Sequence, residues 1–278
     1  MTRLFAALVL VLALAAAAPA DAQTDPYGSC ASVVPQRQSV EGFESVIYRR
    51  ASNRDLRLHV LQPTGFAGPR PAILVFFGGG WRNGDVAAFS RQARAFAARG
   101  YVAILADYRV QCRDKTSPLA SVEDARAAYD WVLGEGVARH GIDPARVVLS
   151  GASSGGHLAL VAAIKADRKP AALLLFNPAI DLVGPAAIYL KPFARGISPS
   201  VLPLDDLPPM MILQGKADSV TPYAAAHAYC GRINALKRTC LLVGYDGAEH
   251  GFFYDGEAYD DTLRRGLEFL EPRIRPSE

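Results

Sequence analysis

The chain lacks any strong segregation of charge. Its formal net charge is +3 over 278 residues, and no basic tract or basic–aromatic face would track a phosphate backbone. A nucleic-acid partner is therefore not expected. Internal repeats are missing, and there is no low-complexity tract beyond the N-terminal segment. After the first apolar run no stretch is long enough to cross a bilayer, so stable membrane insertion is not expected. There is no Cys-x-x-Cys pair and no cluster of histidines near a cysteine. Zinc ligation is thus a poor fit, and neither a metal nor an organic cofactor is implied. What is present is an ordinary globular composition, 50% apolar and 21% charged, long enough for one large core and within the range of one domain.

The N-terminus has its own character. Thr2-Arg3 is a short, weakly positive start, Leu4 to Ala18 is apolar, and Ala20-Asp21-Ala22 has the small-x-small pattern of a cleavage site. These features define an expected signal peptide over 1–22, cut after Ala22, leaving a domain of residues 23–278. A membrane anchor, the competing reading, would need a run of about 20 apolar residues. The mature protein is expected to be secreted or periplasmic. Cys30, Cys112, Cys230 and Cys240 suit an oxidising compartment. Four cysteines allow three pairings, and sequence alone does not choose among them. The spacing of Cys230 and Cys240 suits a helix end stapled to the next strand; Cys30 with Cys112 would then tie down an N-terminal arm.

Residues 24–40 read as that arm. Two alternating runs, Phe43–Arg50 and Asp55–Gln62, read as a hairpin at a sheet edge. Unbroken apolar runs follow at Ala72–Phe77, Val102–Ala106, Val147–Ser150, Ala172–Phe176, Met210–Leu213 and Cys240–Gly244. Strands of that kind are buried on both faces, as in a parallel sheet covered by helices. Helical stretches lie between them: Ala87–Arg99 ending at Gly100, Ser121–Leu133, a helix opened by Thr221-Pro222, and Ala258–Leu270. The fold class is α/β, a mostly parallel sheet of about eight strands with right-handed crossovers and helices on both faces.

Chemistry in such a sheet belongs at the carboxyl ends of the strands. After Val147–Ser150 comes Gly151-Ala152-Ser153-Ser154-Gly155, a G-x-S-x-G turn between strand and helix, which makes Ser153 the candidate nucleophile. After Ala72–Phe77 comes Gly78-Gly79-Gly80-Trp81. Bare backbone N–H groups of these glycines, with that of Ser154, would stabilise an oxyanion; Trp81 would wall a substrate pocket. Asp218 and His250 follow two later strand ends, giving the order Ser, Asp, His. His250 would be the general base and Asp218 its orienting acid. His59, His140 and His227 sit at packing or surface positions, and His157 is expected to point away from Ser153. Asp181, Asp246 and Glu249 are the competing acids, with Asp246 placed to bridge loops and Glu249 facing solvent.

With these residues in place the chain resembles the α/β-hydrolases of the acetyl-esterase/lipase, hormone-sensitive-lipase-like group, and in particular its bacterial feruloyl and acetylxylan esterase branch. The resemblance rests on Phe76-Phe77-Gly78-Gly79-Gly80-Trp81, Ala106-Asp107-Tyr108-Arg109, the Gly151–Gly156 turn, Gly215-Lys216-Ala217-Asp218 and Glu249-His250-Gly251-Phe252-Phe253. It implies Ser153, Asp218 and His250 as the triad, and assigns the oxyanion role to Gly78 and Gly79, with Ser154. Two departures stand out: Phe77 replaces the His that usually precedes the glycines, and Ala152-Ser153-Ser154 replaces the usual Asp-Ser-Ala. Asp107, Tyr108 and Arg109 read as a brace for their strand end.

A helical N-terminal cap is missing, which points to an open site for short acyl groups, such as acetyl, on a bulky or carbohydrate-linked alcohol. Asp181–Pro208 has the apolar residues for a small lid in Ile188, Tyr189, Leu190 and Phe193. A peptidase of the prolyl-oligopeptidase type shares fold and triad but usually adds a gating domain. A non-catalytic binding domain would commonly have lost the nucleophile or the base.

Overall fold

The computed structural model describes residues 30, 32–51, 54–184 and 190–274, the last stretch without the side chains of 191–193. The expected leader, and Ile188 and Tyr189 of the expected lid, lie outside the described residues, as does the side chain of Phe193. Among the described residues, eight strands form one sheet: β1 (Glu44–Arg50), β2 (Asp55–Leu61), β3 (Arg70–Phe76), β4 (Val102–Ala106), β5 (Ile142–Ala152), β6 (Ala172–Phe176), β7 (Met210–Gly215) and β8 (Cys240–Tyr245). Their order is β1-β2-β4-β3-β5-β6-β7-β8. β1 and β2 pair antiparallel, as do β2 and β4, and every later pairing is parallel.

Five of the unbroken apolar runs are buried throughout; the sixth, Cys240–Gly244, became the edge strand β8, where only one side has a neighbouring strand and Cys240 alone is buried. Every residue of β4 and β6 is buried, and so is β3 after its first residue. Leu74, Leu149 and Leu173 are all shut off from solvent, each contributing about 1.5–3 kcal/mol by leaving water. The alternating β1 and β2 form the edge hairpin.

The helices, in chain order, are α1 (Ser90–Ala97), α2 (Gln111–Asp114), α3 (Pro118–Leu133), α4 (Glu135–His140), α5 (Ser154–Lys165), α6 (Lys191–Ile197), α7 (Tyr223–Ala235) and α8 (Gly256–Ile274). The single helix expected over Ala87–Arg99 is split. The Asp85 side chain accepts the Ala87 N–H and holds Val86–Phe89 as a 3₁₀ turn before α1. α3 starts earlier than expected, with Pro118 in its first turn, where a missing N–H costs nothing. Pro222 falls one residue before α7, at the N-cap.

The disulfides are Cys30–Cys112 and Cys230–Cys240. The second joins α7 to the first residue of β8. The first anchors the arm, whose Val34 N–H donates to Asn83 Oδ1 and whose Ser32 carbonyl accepts from Asn83 Nδ2.

Candidate active site

Register brings the strand ends to one edge. Phe76 lies opposite Gly151, Ala152 opposite Phe176, Phe176 opposite Leu213, and Gly215 opposite Tyr245. Each sequence-predicted site residue lies within a few positions of that edge.

The turn at Ser153 is forced by its glycines. A Cβ on Gly155 would lie 2.2 Å from the Phe76 carbonyl oxygen and 2.3 Å from that of Phe77. A Cβ on Gly151 would lie 2.5 Å from the backbone of Gly155. Backbone cannot yield at such distances, so strand, turn and helix pack this tightly only with glycine. Ser153 itself takes φ 53°, ψ −121°, a region that costs about 1–3 kcal/mol for a residue with a side chain and recurs at functional sites. Its N–H donates to Phe176 O at 3.0 Å, and its carbonyl accepts from Ala179 at 3.1 Å. These bonds hold the strained turn in place. α5 starts at Ser154, so the Ser154 N–H is among the first four of a helix, which have no intrahelical acceptor.

Gly78 faces Ser153: a Cβ there would sit 3.3 Å from Ser153 Cβ. Gly79 turns with φ 131°, and its carbonyl accepts from the N–H groups of Arg82 and Asn83, each at 3.1 Å. Tyr108 supports the approach to this loop, donating to Phe77 O at 2.7 Å with the two rings stacked. Asp107 pairs with Arg54 and Arg113, and Arg109 with Asp124, which is the expected brace.

Trp81 is buried rather than open: it is 1% exposed, with φ 59°, and its Nε1–H donates to His157 Nδ1 at 3.2 Å. The expectation of a pocket wall must therefore be set against an indole already used inside the fold. His157 Nδ1 is thereby an acceptor, so the proton sits on Nε2 and is donated to Ile197 O at 2.8 Å. Both ring nitrogens are engaged away from Ser153. Burial pushes this imidazole down to about 4, which keeps it neutral.

Asp218 and His250 meet across two loops, Asp218 Oδ2 lying 2.8 Å from His250 Nδ1. Asp218 Oδ1 accepts the N–H groups of Val220 and Thr221 at 2.8 and 2.9 Å. Oδ2 also accepts from Thr221 Oγ1 at 2.7 Å and Gln214 Nε2 at 3.3 Å. Burial works to raise this carboxyl, but the hydrogen bonds from His250 and Thr221 outweigh it and hold it below the usual carboxylate range. An ionised carboxylate only accepts, so His250 Nδ1 carries the proton and Nε2 is the free basic nitrogen.

The competing acids are placed elsewhere. Asp246 pairs with Lys216 at 2.7 Å, Glu249 is exposed, and Asp181 accepts from Ser200 Oγ. His59 and His140 are buried against Ser45 and Gln62, and His227 is exposed on α7.

Sequence reasoning missed two neighbours of this pair. Thr221 was read only as a helix opener, yet its hydroxyl also lies 3.1 Å from Asn177 O and 3.3 Å from His250 Nδ1. Asn177 follows β6 directly and its side chain bonds the loops of β7 and β8. The available signal was a lone amide after an unbroken apolar strand and before Pro178.

The strand order, the turn at Ser153 and the Asp218–His250 pair are those of an α/β-hydrolase, a class that includes the serine carboxylic ester hydrolases. Comparison with known proteins agrees. The BD-FAE family model matches residues 58–183. Native Thermogutta terrifontis esterase 2 superposes with a TM-score of 0.79 at 33% identity, covering 87% of this chain and 98% of that one. The same esterase phosphoramylated by tabun gives a TM-score of 0.78 at 34% identity, covering 85% and 97%. Carboxylesterase NlhH of Mycobacterium tuberculosis is 33% identical over 110 residues, 39% of this chain. That match covers only 34% of the length of NlhH. The chain belongs to the BD-FAE family of α/β-hydrolase esterases.

Proposed function

We propose that this protein is an exported serine carboxylesterase for short acyl groups, acting through an acyl-enzyme on Ser153. The observation that carries the reading is the Asp218–His250 pair, with its free Nε2, on the same sheet edge as the strained Ser153 turn. His250 Nε2 takes the Ser153 proton as Oγ attacks the ester carbonyl. The oxyanion is received by the N–H groups of Gly78, Gly79 and Ser154. His250 then returns the proton to the leaving alcohol, and water repeats the steps to free the acid. Asp218 keeps the imidazole in the useful tautomer and stabilises its cation throughout.

Short acyl groups are supported by the resemblance to Thermogutta terrifontis esterase 2, known with propionate bound and with butyrate bound. Covalent phosphorylation of that esterase by organophosphates is chemistry suited to an activated hydroxyl. The alcohol side is proposed to be bulky, as in an acetylated or feruloylated sugar. The test is a p-nitrophenyl ester panel from acetate to palmitate, run beside acetylated and feruloylated sugars. Highest kcat/KM on acetate to butyrate supports the reading, and a clear preference for long chains contradicts it. Export is proposed from residues 1–22; a secreted or periplasmic product beginning at Gln23 supports it, and retention with an intact N-terminus contradicts it.

A further inference from the structure

Asn177 is buried without exposure and takes the left-handed conformation, φ 40°. All of its polar groups are used, and they are used on different loops. Its N–H donates to Leu213 O at 2.9 Å, at the end of β7. Its Oδ1 accepts the Gly215 N–H at 2.9 Å, three residues before Asp218. Its Nδ2 donates to the carbonyl of His250 at 2.9 Å and reaches that of Glu249 at 3.4 Å. Its own carbonyl lies 3.1 Å from Thr221 Oγ1, the hydroxyl that touches both Asp218 and His250. The residue before it, Phe176, accepts the N–H of Ser153. The side chain thus joins the turns that carry Asp218 and His250, while the backbone just before it holds the turn of Ser153.

We propose that Asn177 is a positioning residue that fixes the His250 loop against the Ser153 and Asp218 loops. The inference rests on the triad reading above. An amide suits the task because it offers an acceptor and a donor in one plane, and here the acceptor meets an N–H and the donor meets carbonyls. The geometry also explains why an asparagine stands there. It tolerates the left-handed backbone that a branched side chain would resist.

Asn177→Gly removes the amide while keeping the backbone conformation free of strain. Asn177→Asp keeps an acceptor for the Gly215 N–H and, once ionised, removes the donor to His250 O. Both should lower kcat on p-nitrophenyl acetate by about 10- to 100-fold, with KM within about twofold, as expected when catalytic geometry is lost. The acid limb of kcat/KM in Asn177→Gly should move to lower pH, because a slackened Asp218 contact stabilises the imidazolium less. The His250 Nδ1–H resonance, followed by NMR, should weaken or shift in both. Wild-type kcat in either folded variant overturns the proposal. So does a lowered Tm with the pH limb and the resonance unchanged. The NMR readout separates this idea from the esterase reading. If the wild type is inert toward esters, a shifted resonance still supports Asn177 and an unchanged one overturns it.

Discussion

Trp81 donates its indole N–H to His157, so the glycine loop beside Ser153 is tied to the helix that Ser153 caps. The other side of the His157 ring holds Ile197, the last residue of α6. A neutral imidazole is required for this arrangement, because a protonated Nδ1 would face the Trp81 donor. The ordinary histidine value is 6.5 and the folded value is about 4, so the unfolded chain binds the extra proton between those limits. Stability present above pH 6.5 is therefore lost as pH falls toward 4, by roughly 3 kcal/mol at about 1.4 kcal/mol per unit. His157→Gln keeps a donor for Ile197 O. It should have a lower Tm at pH 7 and a flatter Tm against pH in the acid range. Equal acid sensitivity in the two proteins would count against the neutral-histidine role.

Asp218→Asn should leave the fold in place and lower kcat on the order of 10³-fold, because an amide can turn its N–H toward Nδ1 and favour the wrong tautomer. Steady-state kinetics and circular dichroism check this. Thr221→Val removes one of the bonds that depress the Asp218 carboxyl. A depressed carboxyl contributes stability above its unfolded value that is lost as pH falls through the folded one. Thr221→Val should therefore have a lower Tm at neutral pH and a Tm that falls less as pH drops below the ordinary carboxylate value, which a pH-dependent Tm series reads.

The two glycines proposed to receive the oxyanion should fail in different ways. Ala at position 79 places its Cβ 2.0 Å from Asn83 O with φ 131°, so the loop itself must move. Gly79→Ala should lose both Tm and activity. Ala at position 78 meets Ala152 O at 3.1 Å and Ser153 Cβ at 3.3 Å, contacts that small shifts relieve. Gly78→Ala should keep a near-normal Tm with kcat reduced about 10- to 100-fold, the range for a disturbed oxyanion hole or a misplaced nucleophile.

The Cys30–Cys112 bond closes a separation of 82 residues, worth about 4–5 kcal/mol in the chain-entropy view. It also bears on the site, since the N–H groups of Gln111 and Cys112 donate to the carbonyls of Trp81 and Arg82. Replacing both cysteines by serine should lower Tm and kcat together. The same change at Cys230 and Cys240, which lie on α7 and β8, should lower Tm with a smaller effect on kcat.

Much of this was legible in the sequence because one property decided it. Unbroken apolar runs such as Ala172–Phe176 are stable only when covered on both faces, and they mark each parallel strand, although β5 begins at Ile142, five residues before its run Val147–Ser150. The Ser153 turn was legible because its glycines are sterically compelled. The Asp218–His250 contact is long-range, and only strand order made its partners neighbours. Asn177 and Thr221 were missed for a related reason. An amide or hydroxyl has no periodicity, and the His250 atoms that Asn177 and Thr221 meet lie 73 and 29 positions away in the chain. For Trp81 the sequence suggests a pocket wall, and its N–H acceptor, His157, is 76 positions away and carries no local signal. The break before α1 came from one local bond, Asp85 to Ala87, that competes with helical periodicity.

The most direct test of Ser153 as nucleophile is intact-mass and peptide mapping after treatment with a fluorophosphonate, on the wild type and on Ser153→Ala. One covalent adduct, mapped to Ser153 and absent from the folded Ser153→Ala protein, is the expected result. An unlabelled folded wild type, or equal labelling of Ser153→Ala, would contradict it.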